Sequence, residues 1–176
     1  MEIERKWHMP RPPELSALTH TRMSQSYLSL TPELRIRRYE DLAGGSPDRY
    51  DLTIKSEGTL CREEIIKELT AEEYRVLLDM TGGLPPIVKD HRTYDWQGYT
   101  LEYSLVDPDR PGGFCYAEVE FPSVAEAEAF DPPDWFGPET TGEQGFRMKH
   151  YWQSTRLAAG LAPEDEAAEG NGGGRL

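Results

Sequence analysis

Cysteine is scarce in this chain, with only Cys61 and Cys115 among 176 residues. They form no C-x-x-C pair, which excludes zinc ribbons, thiolate metal centres and disulfide-stapled secreted folds, and both read as ordinary reduced thiols. Long apolar runs are missing too. No stretch approaches the roughly 18 apolar residues of a membrane span, and the N-terminal Met1-Glu2-Ile3-Glu4-Arg5-Lys6 is charged from its second residue, unlike a signal peptide. A cytoplasmic protein without a membrane partner is expected. Positive charge is also in short supply: 19 Lys and Arg face 32 Asp and Glu, a net charge of -13 with a pI near 4.7. That balance argues against non-specific binding of nucleic acid, so any polyanion has to be held by a local basic cluster. His8, His20, His91 and His150 show no metal-binding spacing, and there is no P-loop, nucleophile elbow or G-x-G-x-x-G.

What the chain does have is period-two alternation with one charged face. Residues 2 to 7 place Glu2, Glu4 and Lys6 opposite Ile3, Arg5 and Trp7, and residues 34 to 39 place Arg35, Arg37 and Tyr39 opposite Leu34, Ile36 and Arg38. Residues 50 to 56, 99 to 105 and 115 to 121 repeat the pattern with Lys55, Glu102, Glu118 and Glu120 on their polar faces. Capping boxes, Thr70 with Glu73 and Ser123 with Glu126, open two short helices, and a third helical stretch is expected from about Glu143 to Leu161. Strands dominate, so the expected fold class is α+β, mainly antiparallel β. The domain is expected over residues 1–160, followed by a disordered acidic, Gly-rich tail over 161–176.

An alternating charged strand is ordinarily a solvated outer face. Five of them suggest another arrangement, in which helices cover the apolar side of a curved sheet and the charged faces line its hollow. Lys6, Arg35, Arg37, Lys55, Arg62, Lys89 and Arg92 would then face Glu2, Glu4, Glu64, Glu102, Glu118 and Glu120. Arg and Lys hold phosphate oxygens, while clustered carboxylates are the hard ligands of Mg²⁺ or Mn²⁺, so the pairing suits a metal-bound polyphosphate. Mutual salt bridging is the simpler account of the same residues.

Glu2-Ile3-Glu4-Arg5-Lys6 resembles the N-terminal E-x-E-x-K signature of the CYTH superfamily, the triphosphate tunnel metalloenzymes. It is followed in order by Leu34-Arg35-Ile36-Arg37, Leu52-Thr53-Ile54-Lys55, Arg62-Glu63-Glu64, Lys89 with Arg92, and Glu118-Val119-Glu120. The resemblance implies an eight-stranded antiparallel tunnel barrel with covering helices, and the short bacterial members most similar to this chain are inorganic triphosphatases. It assigns Lys6, Arg35, Arg37, Lys55, Arg62, Lys89 and Arg92 to phosphate binding, Tyr27 to the tunnel mouth, and Glu2, Glu4, Glu64, Glu118 and Glu120 to the metal. Glu4, Lys6, Arg37 and Lys55 would be central to catalysis.

Metal-dependent hydrolysis of a triphosphate, foremost inorganic tripolyphosphate, is therefore expected, with Mg²⁺ or Mn²⁺ as cofactor and a homodimer as a possible assembly. An adenylate cyclase of the class IV type and a catalytically weakened polyphosphate- or nucleotide-binding protein are the alternatives. The second is motivated by departures from the family pattern. Ile66 stands where a second inward glutamate is usual, Ser104 stands where an aspartate is common, and the usual K-x-R pair is spread over Lys89-Asp90-His91-Arg92.

Overall fold

Alternation commits these segments to strands because each buries only every second side chain. In the computed structural model, which describes residues 2–57 and 61–158, they are β1 (Glu2–His8), β2 (Thr19–Leu30), β3 (Glu33–Asp41), β4 (Arg49–Lys55), β5 (Cys61–Arg62), β6 (Glu64–Leu69), β7 (Ile87–Trp96), β8 (Tyr99–Val106) and β9 (Phe114–Glu120). All pairings are antiparallel, in the order β5-β1-β9-β8-β7-β2-β3-β4-β6. The two ends of that order, β5 and β6, are separated in the chain by Glu63 alone. One kinked strand thus meets β1 through Arg62 and β4 through Glu64–Leu69, which curls an eight-strand ladder into a tunnel-like sheet.

The edge of β1 beyond β5 is covered by a strap of residues 137–141. Gly137 donates to the His8 carbonyl (3.0 Å), His8 to that of Pro138 (2.9 Å) and Thr140 to that of Lys6 (2.8 Å). A Cβ on Gly137 would lie 2.3 Å from the His8 carbonyl oxygen, so only glycine permits this approach.

The helices sit where the capping boxes placed them. α1 (Ala71–Asp79) carries the full Thr70–Glu73 box, and α2 (Val124–Ala129) starts at Ser123, which accepts from the Glu126 amide. The expected third helix is broken. A 3₁₀ turn over Gln144–Phe146 precedes α3 (Met148–Trp152), which runs into a π-helical turn over Gln153–Leu157. The interruption at Arg147 follows from its extended ψ of 124°. Residues 161–176 lie outside the described residues, as does the side chain of Glu2.

Apolar packing separates into two regions. Ile3, Trp7, Leu101, Val119 and Phe121 form the outer core beneath α2, joined by Phe130 and Phe136. Arg5 belongs to this side: it forks onto Glu139 (3.0 and 2.6 Å) and caps the Ala127 and Phe130 carbonyls. The second cluster sits under α3, where Tyr27, Ile87, Val106 and Tyr116 meet Met148 and Trp152. Among the described residues no helix is long and apolar enough to cross a membrane.

Candidate functional site

With α1 and α2 on the outside, the charged faces turn inward, while α3 packs against the inner face, where Met148 and Lys149 reach the cavity. The registers Lys6↔Glu118, Glu4↔Glu120, Glu102↔Glu118 and Glu33↔Lys55 place these residues around one cavity, because cross-strand partners share a face, and Arg35, two residues on from Glu33, joins them. Arg37, Arg62 and Lys89 also line it. The signs are mostly segregated: Glu4, Glu102, Glu118 and Glu120 come from β1, β8 and β9, with Lys6 and Arg62 among them, while Arg35, Arg37, Lys55 and Lys89 come from β3, β4 and β7, with Glu33 among them.

On the acidic wall Glu118 meets the Lys6 ammonium at 2.6 Å, and Glu4 accepts from Arg62 at 2.8 Å. Burial opposes the charge on both members of the first pair, yet their mutual attraction outweighs it. The Lys6 pKa is raised and that of Glu118 falls below the usual carboxylate range. On the basic wall burial pushes the Lys89 pKa well below its ordinary value, reinforced by Arg37, Lys6 and Arg35 and only partly opposed by Glu118. Its ammonium donates to the Tyr116 hydroxyl (2.7 Å). The Nε of Arg35 is buried without a hydrogen-bond partner.

Several expected assignments change. Arg92 lies outside the cavity, its Nε on Asp90 (3.1 Å) beside His20 on the same carboxylate (3.0 Å). The ladders on both sides of β7 run without a bulge, so Lys89 and His91 point inward and Asp90 and Arg92 outward. Glu64 sits on the basic wall, 3.2 Å from Lys55 and 3.4 Å from Arg35, because β6 pairs with β4; it is a counter-ion there rather than a partner of Glu118 and Glu120. Tyr27 is not at an open mouth but buried against Trp152. Ile66 has the inward register opposite Thr53, yet it is 60% exposed and belongs neither to the cavity lining nor to the core. Ser104 bonds His91 Nδ1 across the strands (3.0 Å), a neutral pair, since burial and Lys89 lower the His91 pKa to about 4.

The cavity also has residues that the alternation did not indicate. The strap that follows β1 continues through Thr141, Gly142, Glu143 and Phe146 to Arg147 and Lys149, all along the lining. Lys149 reaches across to Glu57 at 2.7 Å. The available signal was that Arg147, Lys149 and Arg156 are three of only five basic residues after residue 100.

No family model matches the chain. A curated inorganic triphosphatase from Nitrosomonas europaea is 32% identical over 156 residues, a match spanning 84% of this chain and 94% of the relative. The chain belongs to the inorganic triphosphatase family. A crystal structure of the inorganic triphosphatase NE1496 superposes with a TM-score of 0.59 at 28% identity, covering 86% of this chain and 93% of the other. A second, described as the hypothetical protein NE1496, gives 0.59 at 27% identity, covering 86% and 96%.

For a member of the inorganic triphosphatases, the test of a metal site lies in the donor set. Among the described residues no three His, Cys, Asp or Glu are gathered as a ready ligand shell. Glu118 and Glu4 are turned onto Lys6 and Arg62 instead. The chemistry nevertheless fits a hard divalent cation. Burial, then repulsion from Glu118, partly offset by Arg37, raises the Glu102 pKa to about 7, a cost that a cation beside it would relieve.

This shift predicts a pH effect on stability. Glu102 binds its proton more tightly in the folded protein, so its contribution is full below about pH 4.5 and is lost as pH rises to about 7. Thermal melting from pH 4 to 9 should show Glu102→Gln gaining on the wild type across that interval and holding a constant advantage above it. Parallel curves would mean that the carboxyl titrates normally.

Proposed function

We propose that this protein hydrolyses inorganic tripolyphosphate, bound along the basic wall and assisted by Mg²⁺ or Mn²⁺ at the carboxylate wall. The observation that carries the reading is the orphaned Nε of Arg35 beside the lowered Lys89 pKa: three buried cations, Arg35, Lys55 and Lys89, share a wall with Arg37, and Glu33 and Glu64 offset them only in part, which suits an entering anion. Family membership points the same way.

Arg35 and Arg37 would fork onto phosphate oxygens, while Lys55 and Lys89 neutralise charge that develops during cleavage. Glu4, Glu102, Glu118 and Glu120 would hold the cation, which when bound supplies Lewis-acid polarisation of the phosphoryl oxygens. Glu64 keeps Arg35 and Lys55 aligned. The strap and α3, with Arg147, Met148 and Lys149, limit solvent access at one side of the cavity.

The test is phosphate release from tripolyphosphate, ATP, thiamine triphosphate and pyrophosphate with each metal. Turnover of tripolyphosphate that stops on chelation and returns with Mg²⁺ or Mn²⁺ is expected. Cyclic AMP from ATP would establish the cyclase instead, and binding without turnover would establish a sensor.

A further inference from the structure

Gln25 was not singled out by the sequence, yet it is fully buried on the inner face of β2, opposite Arg37 in the β2·β3 ladder. Its carboxamide is used at both ends. Oε1 accepts from Arg37 Nε at 2.9 Å, and Nε2 donates to the Tyr27 hydroxyl at 2.8 Å. A guanidinium only donates, so the amide orientation is fixed by its partners.

Arg37 is held from a second side as well. Its Nη1 donates to the Tyr39 hydroxyl (3.4 Å), which in turn donates to Asp51 (2.6 Å), itself held by the Thr53 hydroxyl (3.2 Å). Burial works against charge on Arg37, but Tyr39 and Asp51 raise its pKa further still. Neither Gln25 nor Tyr39 lines the cavity, whereas Arg37 does. Of the roughly five N–H groups of a guanidinium, the Nε edge is taken by Gln25. With one N–H of Nη1 on Tyr39, Nη2 and the second N–H of Nη1 are what remains to form a fork toward the cavity that Arg37 lines.

We infer that Gln25 is a positioning residue for the anion site: its carbonyl oxygen sets the rotation of the Arg37 guanidinium so that the Nη fork, not the Nε edge, meets a phosphate. A free arginine side chain samples several rotations of this group, and the bidentate grip on an oxyanion needs one of them. The inference rests on the polyphosphate reading of the cavity.

Calorimetric titration of the full chain with tripolyphosphate, in the presence of Mg²⁺, separates the two. If the wild type does not bind, the reading of the cavity is overturned. If it binds, Gln25→Met, nearly isosteric but without an acceptor, should raise Kd about tenfold and KM with it, with kcat changed far less. In an Arg37→Lys background, which keeps the cation but has no Nε–H, the same change should alter Kd less than about twofold. An unchanged Kd for Gln25→Met, or an equal loss in both backgrounds, overturns the inference. Should Gln25→Met not fold, Tyr27→Phe, which removes the acceptor of Gln25 Nε2, carries the same comparison: weakening only where Arg37 is present supports the role, and equal weakening defeats it.

Discussion

Asp107→Asn should destabilise the protein by about 3–5 kcal/mol, the cost of stranding a buried charge, and lower its melting temperature by about 10 °C. Asp107 is 3% exposed and meets Arg156, itself 2% exposed, at 2.6 Å. The same carboxylate accepts from the Val88 amide (2.9 Å) and the Tyr151 hydroxyl (3.0 Å), while Arg156 also donates to the Pro85 and Pro86 carbonyls (3.2 and 3.0 Å). Asparagine tolerates the positive φ of 45° at this position but keeps only one accepting oxygen, so the substitution removes the charge and turns an amide NH₂ onto one of these donors. The affected element is the helical end of the chain, which carries Arg147 and Lys149 along the cavity. Loss of stability should therefore come with a raised KM for tripolyphosphate. An unaltered melting temperature would show that Arg156 does not depend on this carboxylate.

Glu118→Gln should lower kcat for tripolyphosphate by at least about a hundredfold, the scale of removing one preorganised electrostatic group. Glu118 faces the Lys6 ammonium at 2.6 Å and supports the charge on Lys89, and its repulsion helps to hold Glu102 partly protonated near neutrality. Glutamine preserves an oxygen for Lys6 but not the charge. Lys6 should then lose much of its raised proton affinity, and Glu102 should titrate closer to an ordinary carboxyl. Steady-state kinetics at saturating metal, with circular dichroism to confirm the fold, tests the role. Turnover within about threefold of the wild type in a folded variant would remove Glu118 from the reaction.

Alternation identified β1, β3, β4, β8 and β9 because each has a polar face carrying at least one charge, and Glu4, Lys6, Arg35, Arg37, Lys55, Glu118 and Glu120 all line the cavity. β2 escaped it because its inner face is Met23, Gln25 and Tyr27, polar and apolar by turns, with a bulge between Tyr27 and Ser29 that breaks the count. Arg92 shows the opposite error. Residue type suggested a phosphate ligand, but strict period two from Lys89 assigns the inward place to His91. For Glu64 and Ile66 the parity was legible and the neighbourhood was not. Which strand β6 pairs with, and how far along the cavity extends, depend on closure of the sheet. The contribution of Arg147 and Lys149 arises from the strap along β1, a contact across more than a hundred residues of chain.

The two walls of the cavity also differ in how far along the chain their parts must travel. Arg35, Arg37 and Lys55 lie in the β2-β3-β4 meander, whose neighbours are joined by short turns and can pair locally. Glu4 and Lys6 of the first strand meet Glu118 and Glu120 of the ninth. Closing that loop costs more chain entropy than closing any hairpin, so contact order places it among the late events of folding. The part of the site made by Arg35, Arg37 and Lys55 is thus local in origin, as is the Glu102–Glu118 pair of the β8-β9 hairpin, whereas Glu4 and Lys6 join only once the ends of the domain have met. A chain caught before that step would present Arg35 and Arg37 with Glu64 but without Glu4 and Lys6 across from them, and its net charge of -13 would oppose self-association.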